Sequence, residues 1–326
     1  IQSLIEGKDI SVLAVGSGSI DDICRLATAR CGKLCCMFAT APSMDGFASY
    51  SAPIVKNGFK SSYPAKSPEV IIGDTAILAK APARLKSAGF GDMVAKYVGL
   101  VDWKISSLLS GEYYCEKIAS LTREATDSLM TMADKITKED EESAGMIFEA
   151  LLKTGLGMSF AQNSRPASGA EHVVAHLLDC KEVAEGKIPN YHGEDVGVSA
   201  LETMKVYEEM AEHSSVSVKK EQVNWSDVFA FYGSMAEEIR KLNFPKTGTE
   251  DADLSLLREK WEEIRAIIRS VPTSEECKTA MQKAGCKITV EDIGKAPGFF
   301  WDCFRYSPYM RYRLTLLRLK DCIVLH

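Results

Sequence analysis

The sequence predicts an α/β domain with a parallel sheet over residues 1–76, followed by an all-helical domain over residues 77–326. Strand-length apolar runs separated by a helix-length segment occupy the first part, whereas apolar residues recur with a period of 3.6 from about Asp74 onward. The length of 326 residues also fits about two domains of roughly 150 residues each. These observations predict the class α/β plus all-α.

The α/β domain is predicted to begin with a strand, a turn, a helix and a second strand. Ile10–Val15 is an apolar run, Gly16–Ser19 is a turn, and Ile20–Ala29 can place its apolar residues on one helical face. Leu34–Ala41 is a second apolar run. Continuous apolar strands joined through a helix are typical of a parallel sheet covered on both faces, as in Rossmann-like nucleotide-binding domains. Two further strands are expected, at Val55–Pro64 and Glu69–Gly73.

The helical domain is predicted from periodicity and from capping residues. One apolar stripe over Leu254–Ile268 predicts a single helix of a bundle. Ser226 is predicted to cap a helix over Asp227–Leu242, and Thr273 with Glu276 is predicted to form a capping box. The cleft between the two domains is the expected ligand site, because α/β sheets bind ligands at the carboxyl ends of their strands.

Composition and charge exclude several classes of protein. Hydrophobic residues make up 46% of the chain and the net charge is only −6, so the chain can bury a core and is not expected to be disordered. The 39 Lys and Arg against 45 Asp and Glu do not suggest a basic face for nucleic acid. No apolar run approaches the roughly 18 to 20 residues of a membrane span. We therefore expect neither a nucleic-acid partner nor a membrane span.

The start of the chain and its cysteines bear on location. Residues Ile1–Lys8 lack a basic segment followed by an apolar one, so no secretion signal is expected. Because the chain starts with Ile and not with Met, the sequence suggests that a segment is missing upstream. The ten cysteines form neither a compact disulfide pattern nor a zinc knuckle, and Cys35 and Cys36 are expected in the core. We expect a reduced, cytoplasmic protein.

Two loops at the carboxyl ends of the first two strands are candidate cofactor sites. Gly16–Ile20 opens a helix and places backbone N–H groups where a pyrophosphate can bind. The fingerprint G-x-G-x-x-G is incomplete because Asp21 occupies the last position, and a tight turn that needs glycine is an equal alternative. Thr40–Ser49 brings hydroxyls and the carboxylate of Asp45 to the same edge, with a capped loop as the alternative.

Three histidines within 21 residues form a candidate metal site. His172 and His176 are four residues apart and share one helical face, and His192 follows in the sequence. Two imidazoles and a carboxylate suit a divalent cation that keeps positions open for substrate. The alternative is a surface or core pair of histidines, but the polar loop 163–169 before this helix favours a site.

Asp92 is the best candidate for the carboxylate partner. It follows the glycine pair Gly89 and Gly91, and Lys96 lies one helical turn further along the same face. The alternative is an ordinary ion pair between residues four apart, which contributes about 0.2–0.5 kcal/mol.

Several motifs occur in the order in which the sn-glycerol-1-phosphate dehydrogenases carry them. They are the glycine turn, Thr40–Gly46, Gly89–Asp92, Ser164–His172 and His192–Glu194. In these motifs the chain resembles that family, within the superfamily of metal-dependent polyol dehydrogenases and dehydroquinate synthases. The likeness runs from about Ser11 to Leu319.

The resemblance implies an NAD(P)-dependent oxidoreductase that interconverts dihydroxyacetone phosphate and sn-glycerol 1-phosphate with the help of a divalent metal. Zinc is the first choice of metal, with nickel or iron as alternatives. The metal ligands implied are Asp92, His172 and His192. The implied catalytic residues are Asp92, His176 and Lys96. The implied substrate-binding residues are Asp45, Asp92, His176 and Arg165, with Lys96 and Arg165 as candidate phosphate anchors.

The resemblance also implies where the nicotinamide cofactor binds. The residues implied are Gly16, Ser17, Gly18, Ser19, Ile20, Thr40, Ala41, Pro42, Ser43 and Ser49. Family members carry a further stretch of several tens of residues before the equivalent of Ile10, with a first strand and an acidic residue near the adenosine ribose. The given sequence has no counterpart of this stretch, and this difference bears on cofactor affinity and on the choice between NADH and NADPH.

Two other functions stay open at the level of sequence. One is a glycerol dehydrogenase of the same superfamily, which acts on an unphosphorylated polyol. The other is a catalytically silent ligand-binding or subunit-interaction protein. The sequence leaves homo-oligomerisation open.

Overall fold

The structure is a computed structural model that describes residues 1–56 and 58–326. Its strands are β1 (Val12–Gly16), β2 (Cys35–Ala39), β3 (Ser51–Lys56), β4 (Phe59–Pro64), β5 (Val70–Gly73), β6 (Val216–Val218) and β7 (Ile323–Leu325). Its helices are α1 (Gln2–Ile5), α2 (Gly18–Cys31), α3 (Thr75–Ala79), α4 (Ala83–Val94), α5 (Lys96–Ser110), α6 (Glu116–Met130), α7 (Glu141–Ala161), α8 (Ala170–Ala184), α9 (His192–Glu212), α10 (Trp225–Tyr232), α11 (Ala236–Asn243), α12 (Leu254–Glu259), α13 (Trp261–Ile268), α14 (Ser274–Lys283), α15 (Pro297–Tyr306) and α16 (Leu316–Leu319). We call residues 1–73 the sheet unit and residues 74–326 the helical unit.

The sheet unit contains a parallel sheet of three strands in the order β1-β2-β5. Ala14 lies opposite Met37, and Met37 lies opposite Ile71. Helix α2 joins β1 to β2 and ends before Gly32, whose φ of 61° is the left-handed conformation that favours glycine. The predicted fold class, a Rossmann-like parallel sheet followed by a helical part, is confirmed.

The prediction of one strand over Val55–Pro64 is wrong. β3 and β4 pair antiparallel as a hairpin, with Ser51 opposite Pro64 and Val55 opposite Lys60. Gly58 has a φ of 76°, which permits a tight reversal within the predicted strand. Residue 57 of that predicted strand lies outside the described residues.

The sheet buries one face, and the prediction of a sheet covered on both faces is wrong for the described residues. Ala14 and Met37 are buried among side chains of α2 and α7. On the other face Leu13 and Val15 are 59% and 57% exposed. Helices α2 and α7 both pack on the buried face, and a run of apolar residues does not reveal how many faces are covered.

The helical unit contains a much larger core. Helices α7 and α9 each have 21 residues, and α9 packs against α4, α8, α13 and α14. The short strands β6 and β7 pair antiparallel and join the chain end to this unit. Long helices with several packed neighbours fix the backbone positions of the side chains that they carry.

Two helix predictions in this unit need correction and one is confirmed. The stripe over Leu254–Ile268 forms two helices, α12 and α13, because the backbone at Lys260 leaves helical geometry with φ −103° and ψ 14°. Ser226 lies inside α10, which Asn224 precedes as N-cap and Gly233 ends with a φ of 56°. The capping box of Thr273 and Glu276 at the start of α14 is present.

The ten cysteines are all free thiols. Cys35 is buried, as expected, whereas Cys36 is half-buried at the sheet. Within the described residues, no helix has both the length and the apolar character needed to cross a membrane.

Candidate metal and cofactor site

The candidate site lies where the sheet unit meets the helical unit. A cleft of about 470 Å³ is lined by the glycine turn after β1, by the loop after β2, by Lys60 of β4 and by His192. An adjoining cavity of about 90 Å³, which we call the inner cavity, shares Asp45, Gly46, Pro53 and His192 with the cleft. It extends to His172 and His176. The two spaces together form a site between the carboxyl edge of the sheet and the helices.

Helix α4 brings Asp92 to this seam because glycines allow close backbone approach. A Cβ at Gly89 would lie 2.0 Å from the carbonyl oxygen of Pro42, in the loop after β2. A Cβ at Gly91 would lie 2.5 Å from the carbonyl oxygen of Gly193, on α9. The glycine pair noted in the sequence therefore lets α4 contact both the sheet unit and the helix that carries His192.

Helix α8 carries His172 and His176, and its start is fixed by a carboxylate of α5. The Ala170 amide donates a 2.8 Å hydrogen bond to Oδ2 of Asp102, which is fully buried. Two residues after Ala170, Nδ1 of His172 lies 2.6 Å from Oε1 of Glu171. A carboxylate on Nδ1 leaves Nε2 of His172 directed to the site, as is usual for metal-binding histidines.

Helix α9 begins at His192. Tyr191 is its N-cap residue, and the Tyr191 amide donates a 3.2 Å hydrogen bond to Oε2 of Glu194. A Cβ at Gly193 would lie 1.8 Å from the carbonyl oxygen of Ala88, so only glycine lets α9 cross α4 at this distance. This crossing places His192 beside Asp92.

Asp92, His172 and His192 form one potential metal site. One donor atom from each of the three lies within 4.8 Å of the others. Nε2 of His172 is 3.5 Å from Oδ1 of Asp92, and Nδ1 of His192 is buried with no hydrogen-bond partner among the described residues. Two imidazoles and one carboxylate are a donor set that suits Zn²⁺ or Fe²⁺ and leaves coordination positions open. The residues present therefore fit a divalent cation.

A buried ion network surrounds Asp92. Nζ of Lys96 lies 2.6 Å from Oδ1 of Asp92 and 2.5 Å from Oδ2 of Asp45. The Asp45 amide also donates a 3.0 Å hydrogen bond to Oδ2 of Asp92, which links the sheet unit to α4. Asp92 and Lys96, for which the alternative was an ordinary ion pair between residues four apart, are both fully buried.

Burial and charge shift the pKa values in this network. Burial alone would raise the pKa of Asp92, but the Lys96 ammonium and the His172 hydrogen bond outweigh it and hold the pKa well below its usual range. Burial and the neighbouring Asp92 raise the pKa of Asp45. Burial opposes the charge of Lys96, but the two carboxylates raise its pKa. Asp92 is therefore ionised and Lys96 is charged.

His176 lies beside the potential metal ligands. Its ring centroid is 6.0 Å from that of His172 and 5.7 Å from that of His192. Burial, together with the charges of Lys60 and Arg311, lowers the pKa of His176 well below its usual value. A neutral imidazole on the cavity wall can exchange a proton with a bound hydroxyl.

The structure separates the predicted cofactor residues into those that line the cleft and those that support it. The residues that line the cleft are Ser17, Gly18, Ser19, Ile20 and Ser43. Oγ of Ser17 and Oγ of Ser43 are 2.5 Å apart, which joins the two loops. Thr40 donates its amide to the carbonyl of Gly16, and Ala41 is buried. Pro42 contacts α4 as described above, and Ser49 lines the inner cavity.

Arg165, a candidate phosphate anchor, is not among the residues that line the cleft or the adjoining cavity. Its Nε and Nη2 donate to Glu112 at 2.8 Å and 2.6 Å, and its Nη1 donates to the carbonyl of Leu314 at 2.7 Å. Nη2 also donates to Ser106 at 3.0 Å. Because these groups use all three guanidinium nitrogens, the expected substrate contact of Arg165 is replaced by a structural role.

Sequence reasoning did not name several residues of the site, among them Lys60 in the cleft. Glu171 lies 2.6 Å from Nδ1 of His172. Its position directly before His172 in the motif Ser164–His172 could have indicated this role. Arg311 and Arg313 line the inner cavity although they lie far from the other motifs in the chain. The sequence gives little indication of this position, since it shows only two arginines separated by one residue and no amphipathic helix around them.

Comparisons with known proteins identify relatives of the chain. The profile of the family described as iron-containing alcohol dehydrogenase matches residues 1–82. The chain is 31% identical over 320 residues to the glycerol-1-phosphate dehydrogenase (NAD(P)+) of Geobacillus stearothermophilus, covering 97% of this chain and 73% of that protein. It is 36% identical over 251 residues to the enzyme of the same name from Bacillus licheniformis, covering 76% of this chain and 63% of that protein.

Solved structures share the fold. A probable glycerol dehydrogenase from Sinorhizobium meliloti 1021 superposes with a TM-score of 0.59 at 18% identity, covering 94% of this chain and 70% of that one. The NADH-dependent butanol dehydrogenase A of Thermotoga maritima gives a TM-score of 0.58 at 16% identity, covering 98% and 72%. At these identities the likeness shows the fold alone.

Proposed function

The chain belongs to the glycerol-1-phosphate dehydrogenase family, and from this premise we propose that it interconverts dihydroxyacetone phosphate and sn-glycerol 1-phosphate with an NAD(P) cofactor. The observation that carries the proposal is the convergence of Asp92, His172 and His192 beside a cleft lined by the glycine turn. The chain spans 63% of the Bacillus licheniformis relative and 73% of the Geobacillus stearothermophilus relative. The activity is therefore proposed from the site and from the relatives' names together.

Asp92, His172 and His192 would hold the metal, for which we propose zinc, with iron or nickel as alternatives. A divalent cation bound there supplies Lewis-acid polarisation of the substrate oxygen at C2, and the nicotinamide supplies or accepts the hydride. Glu171 orients His172, since its carboxylate lies 2.6 Å from Nδ1. The ammonium of Lys96 orients Asp92 and Asp45 together.

The remaining polar groups act on the substrate's hydroxyls. Asp45 is 8% exposed and reaches both the cleft and the inner cavity, so it is placed to accept a hydrogen bond from a substrate hydroxyl. His176 is neutral near physiological pH because burial lowers its pKa. A neutral His176 can accept the proton of the C2 hydroxyl during oxidation and return it to the C2 oxygen during reduction. Of the residues proposed as catalytic, only His176 is free to move a proton.

The cofactor residues are proposed to lie at the sheet unit. Ser17, Gly18 and Ser43 line the cleft, and the backbone N–H groups at the start of α2 suit an anionic phosphate. We accordingly keep the predicted division as a proposal, with a cofactor domain over residues 1–76 and a metal and substrate domain over residues 77–326. We also propose a cytoplasmic location, since ten unpaired thiols suit a reducing compartment.

An absorbance assay of reduced nicotinamide tests the proposed function. Metal-loaded protein is supplied with NADH or NADPH and with either dihydroxyacetone phosphate or unphosphorylated dihydroxyacetone. Consumption of reduced nicotinamide with the phosphorylated triose supports the proposal. A clear preference for the unphosphorylated triose, or for glycerol over glycerol 1-phosphate in the reverse direction, would favour a glycerol dehydrogenase instead. Nicotinamide binding without turnover of either substrate would identify a catalytically silent protein.

A further inference from the structure

Two arginines of the inner cavity have no acidic partner. Within the described residues, no carboxylate lies within ion-pair distance of Arg311 or Arg313, whereas Arg165 and Arg318 pair with Glu112 and Glu221. Nη2 of Arg311 donates a 2.7 Å hydrogen bond to the carbonyl of Lys60. Neutral acceptors satisfy hydrogen bonds but do not compensate a buried charge.

Arg313 has the same character. Its Nη1 donates to the carbonyl and the hydroxyl of Ser168, at 2.6 Å and 3.0 Å, and its Nη2 donates to the hydroxyl of Ser164. Arg313 is half-buried, and burial together with Arg165 and Arg311 lowers its pKa to about 10, although Glu112 and Glu171 act in the opposite direction. An anion in the cavity would oppose this lowering.

The position of the two arginines shows which anion fits. They line the same cavity as Asp45, His172, His176 and His192. Both arginines therefore line the space beside the potential metal ligands. In the proposed function, Asp45 and His176 contact the hydroxyls of the substrate that enters this space. The hydroxyls of Ser62, Ser164 and Ser168 line the same wall and add further hydrogen-bond donors.

We propose that Arg311 and Arg313 form the subsite that binds the phosphate of the substrate and makes the enzyme select a phosphorylated triose. Guanidinium groups bind phosphate oxygens through paired N–H donors, and both arginines are held at the cavity wall by neutral partners. This inference rests on the proposed function, because it assigns the phosphate end of the same substrate. It also replaces Arg165 as the phosphate anchor.

The test compares the variants Arg311→Met and Arg313→Met with wild type. Each is assayed with dihydroxyacetone phosphate and with dihydroxyacetone, and inorganic phosphate is titrated into each metal-loaded protein by calorimetry. A charge-assisted hydrogen bond contributes about 1.5–3 kcal/mol, so kcat/KM for the phosphorylated triose is expected to fall about tenfold to a hundredfold in each variant. Loss of the Arg311 charge also acts on the pKa of His176 and therefore on both trioses, so the measured quantity is the ratio of kcat/KM for dihydroxyacetone phosphate to kcat/KM for dihydroxyacetone, which is expected to fall. The KM for NADH or NADPH and the metal content are expected to stay close to wild type.

Three further samples make the result decisive. Arg305→Met removes an exposed arginine of the same C-terminal segment, which lies over the ring of Tyr306, and is expected to leave every value unchanged. Arg311→Lys and Arg313→Lys retain the charge and are expected to recover part of the lost phosphate selectivity. If Arg313→Met does not fold because its bonds to Ser164 and Ser168 are lost, Arg311→Met decides the matter.

The inference and the proposed function fail in different ways. If the wild-type protein turns over dihydroxyacetone phosphate but the ratio of the two kcat/KM values is unchanged in Arg311→Met, the phosphate subsite lies elsewhere and the inference is overturned. If the wild-type protein turns over neither triose but binds inorganic phosphate in a manner that Arg311→Met weakens, the proposed function is overturned and the subsite stands. Equal losses for both trioses would show a structural role and would also overturn the inference.

Discussion

The helical unit and the sheet unit reach the same cleft with different structural support. Asp92 is fully buried and His172 is 4% exposed, and both lie on helices packed in a large core. Ser17 and Ser43 lie on loops above a sheet of three strands, one face of which is exposed. The comparison indicates that the core fixes the proposed metal ligands, whereas a few local contacts fix the loops proposed to bind the cofactor.

Both backbone and side chains join the two units, and Lys96 pairs with Asp45 across the contact. Gly89 lets α4 touch the carbonyl of Pro42, and the Asp45 amide bonds to Asp92. The loop after β2 is thus positioned by the helical unit. Changes at Asp92, His172 or His192 are expected to affect metal and rate, while changes in the glycine turn after β1 are expected to affect the cofactor.

The largest effect is expected for His172→Ala. This variant removes one of three metal donors, so metal content should fall and turnover should drop by about a thousandfold or more, because metal activation accounts for several kcal/mol of the barrier. Elemental analysis and the nicotinamide assay measure both quantities. His213→Ala, which changes a histidine outside the site, is the matched control. A His172→Ala protein with full metal content would place the metal elsewhere.

A smaller effect within the helical unit is expected for Glu171→Gln. The amide keeps the shape of the side chain but weakens the hold on Nδ1 of His172, so metal affinity should fall about tenfold to a hundredfold while the fold is retained. Competition with a chelator measures this affinity. Glu182, a carboxylate of the same helix that pairs with Lys295 and not with a histidine, offers a control as Glu182→Gln. Equal metal affinity in Glu171→Gln and wild type would show that Glu171 does not position the ligand.

In the sheet unit, Gly18→Val is expected to raise the KM for NADH or NADPH about tenfold. A Cβ at Gly18 would lie 2.7 Å from Cγ of Met44, and overpacking of this kind costs about 1–3 kcal/mol. Metal content should not change. Gly298→Val is the control, because a Cβ there meets nothing within 4 Å. Loss of metal in Gly18→Val would contradict the separation of the two units.

The smallest effect concerns stability in the sheet unit. Asp21 is fully buried against Arg25, and burial outweighs that ion pair and raises the pKa of Asp21 to about 7. Because the pKa is higher in the folded state than its ordinary value of 3.8, the folded state binds more protons between these pH values. The stabilisation of the folded state that comes from protonating Asp21 is therefore fully present below pH 3.8 and is lost as the pH rises to about 7.

Asp21→Asn should remove this part of the pH dependence. The free energy of unfolding is measured with urea at pH about 5 and at pH about 8, for wild type and for the variant. The change between the two pH values is expected to be larger in wild type than in the variant by at least about 1 kcal/mol. Asp9→Asn, which changes an exposed acid of the same unit, is the control. Parallel stability profiles for Asp21→Asn and wild type would show that Asp21 stays ionised in the folded protein.

The sequence predicted the local elements well where one pattern decides them. β1, β2, β5 and α2 lie within two residues of their predicted bounds, and the Thr273 capping box is present. The spacing of His172 and His176 placed both on one helix, as the structure has them. Local reasoning also named His192 and Asp92 as candidates, but the ligand set Asp92, His172 and His192 came from the resemblance, since no local pattern links residues so far apart in the chain.

The remaining features depend on tertiary contacts that leave no local signal. The apolar residues of β1 did not show that Leu13 and Val15 are exposed, because burial depends on which elements pack on each face. Arg165 was a reasonable phosphate anchor by its position near the histidines, but Glu112 binds it. Arg311 and Arg313 enter the cavity from the far end of the chain, so only the folded structure shows their role.

Anomalous X-ray diffraction from crystals grown with Zn²⁺ tests the central claim most directly. The account predicts one strong peak within about 2.0–2.2 Å of a carboxylate oxygen of Asp92 and of an imidazole nitrogen of each of His172 and His192. A peak bound by cysteine thiolates at about 2.3 Å, or no peak at the three residues in an active enzyme, would contradict it.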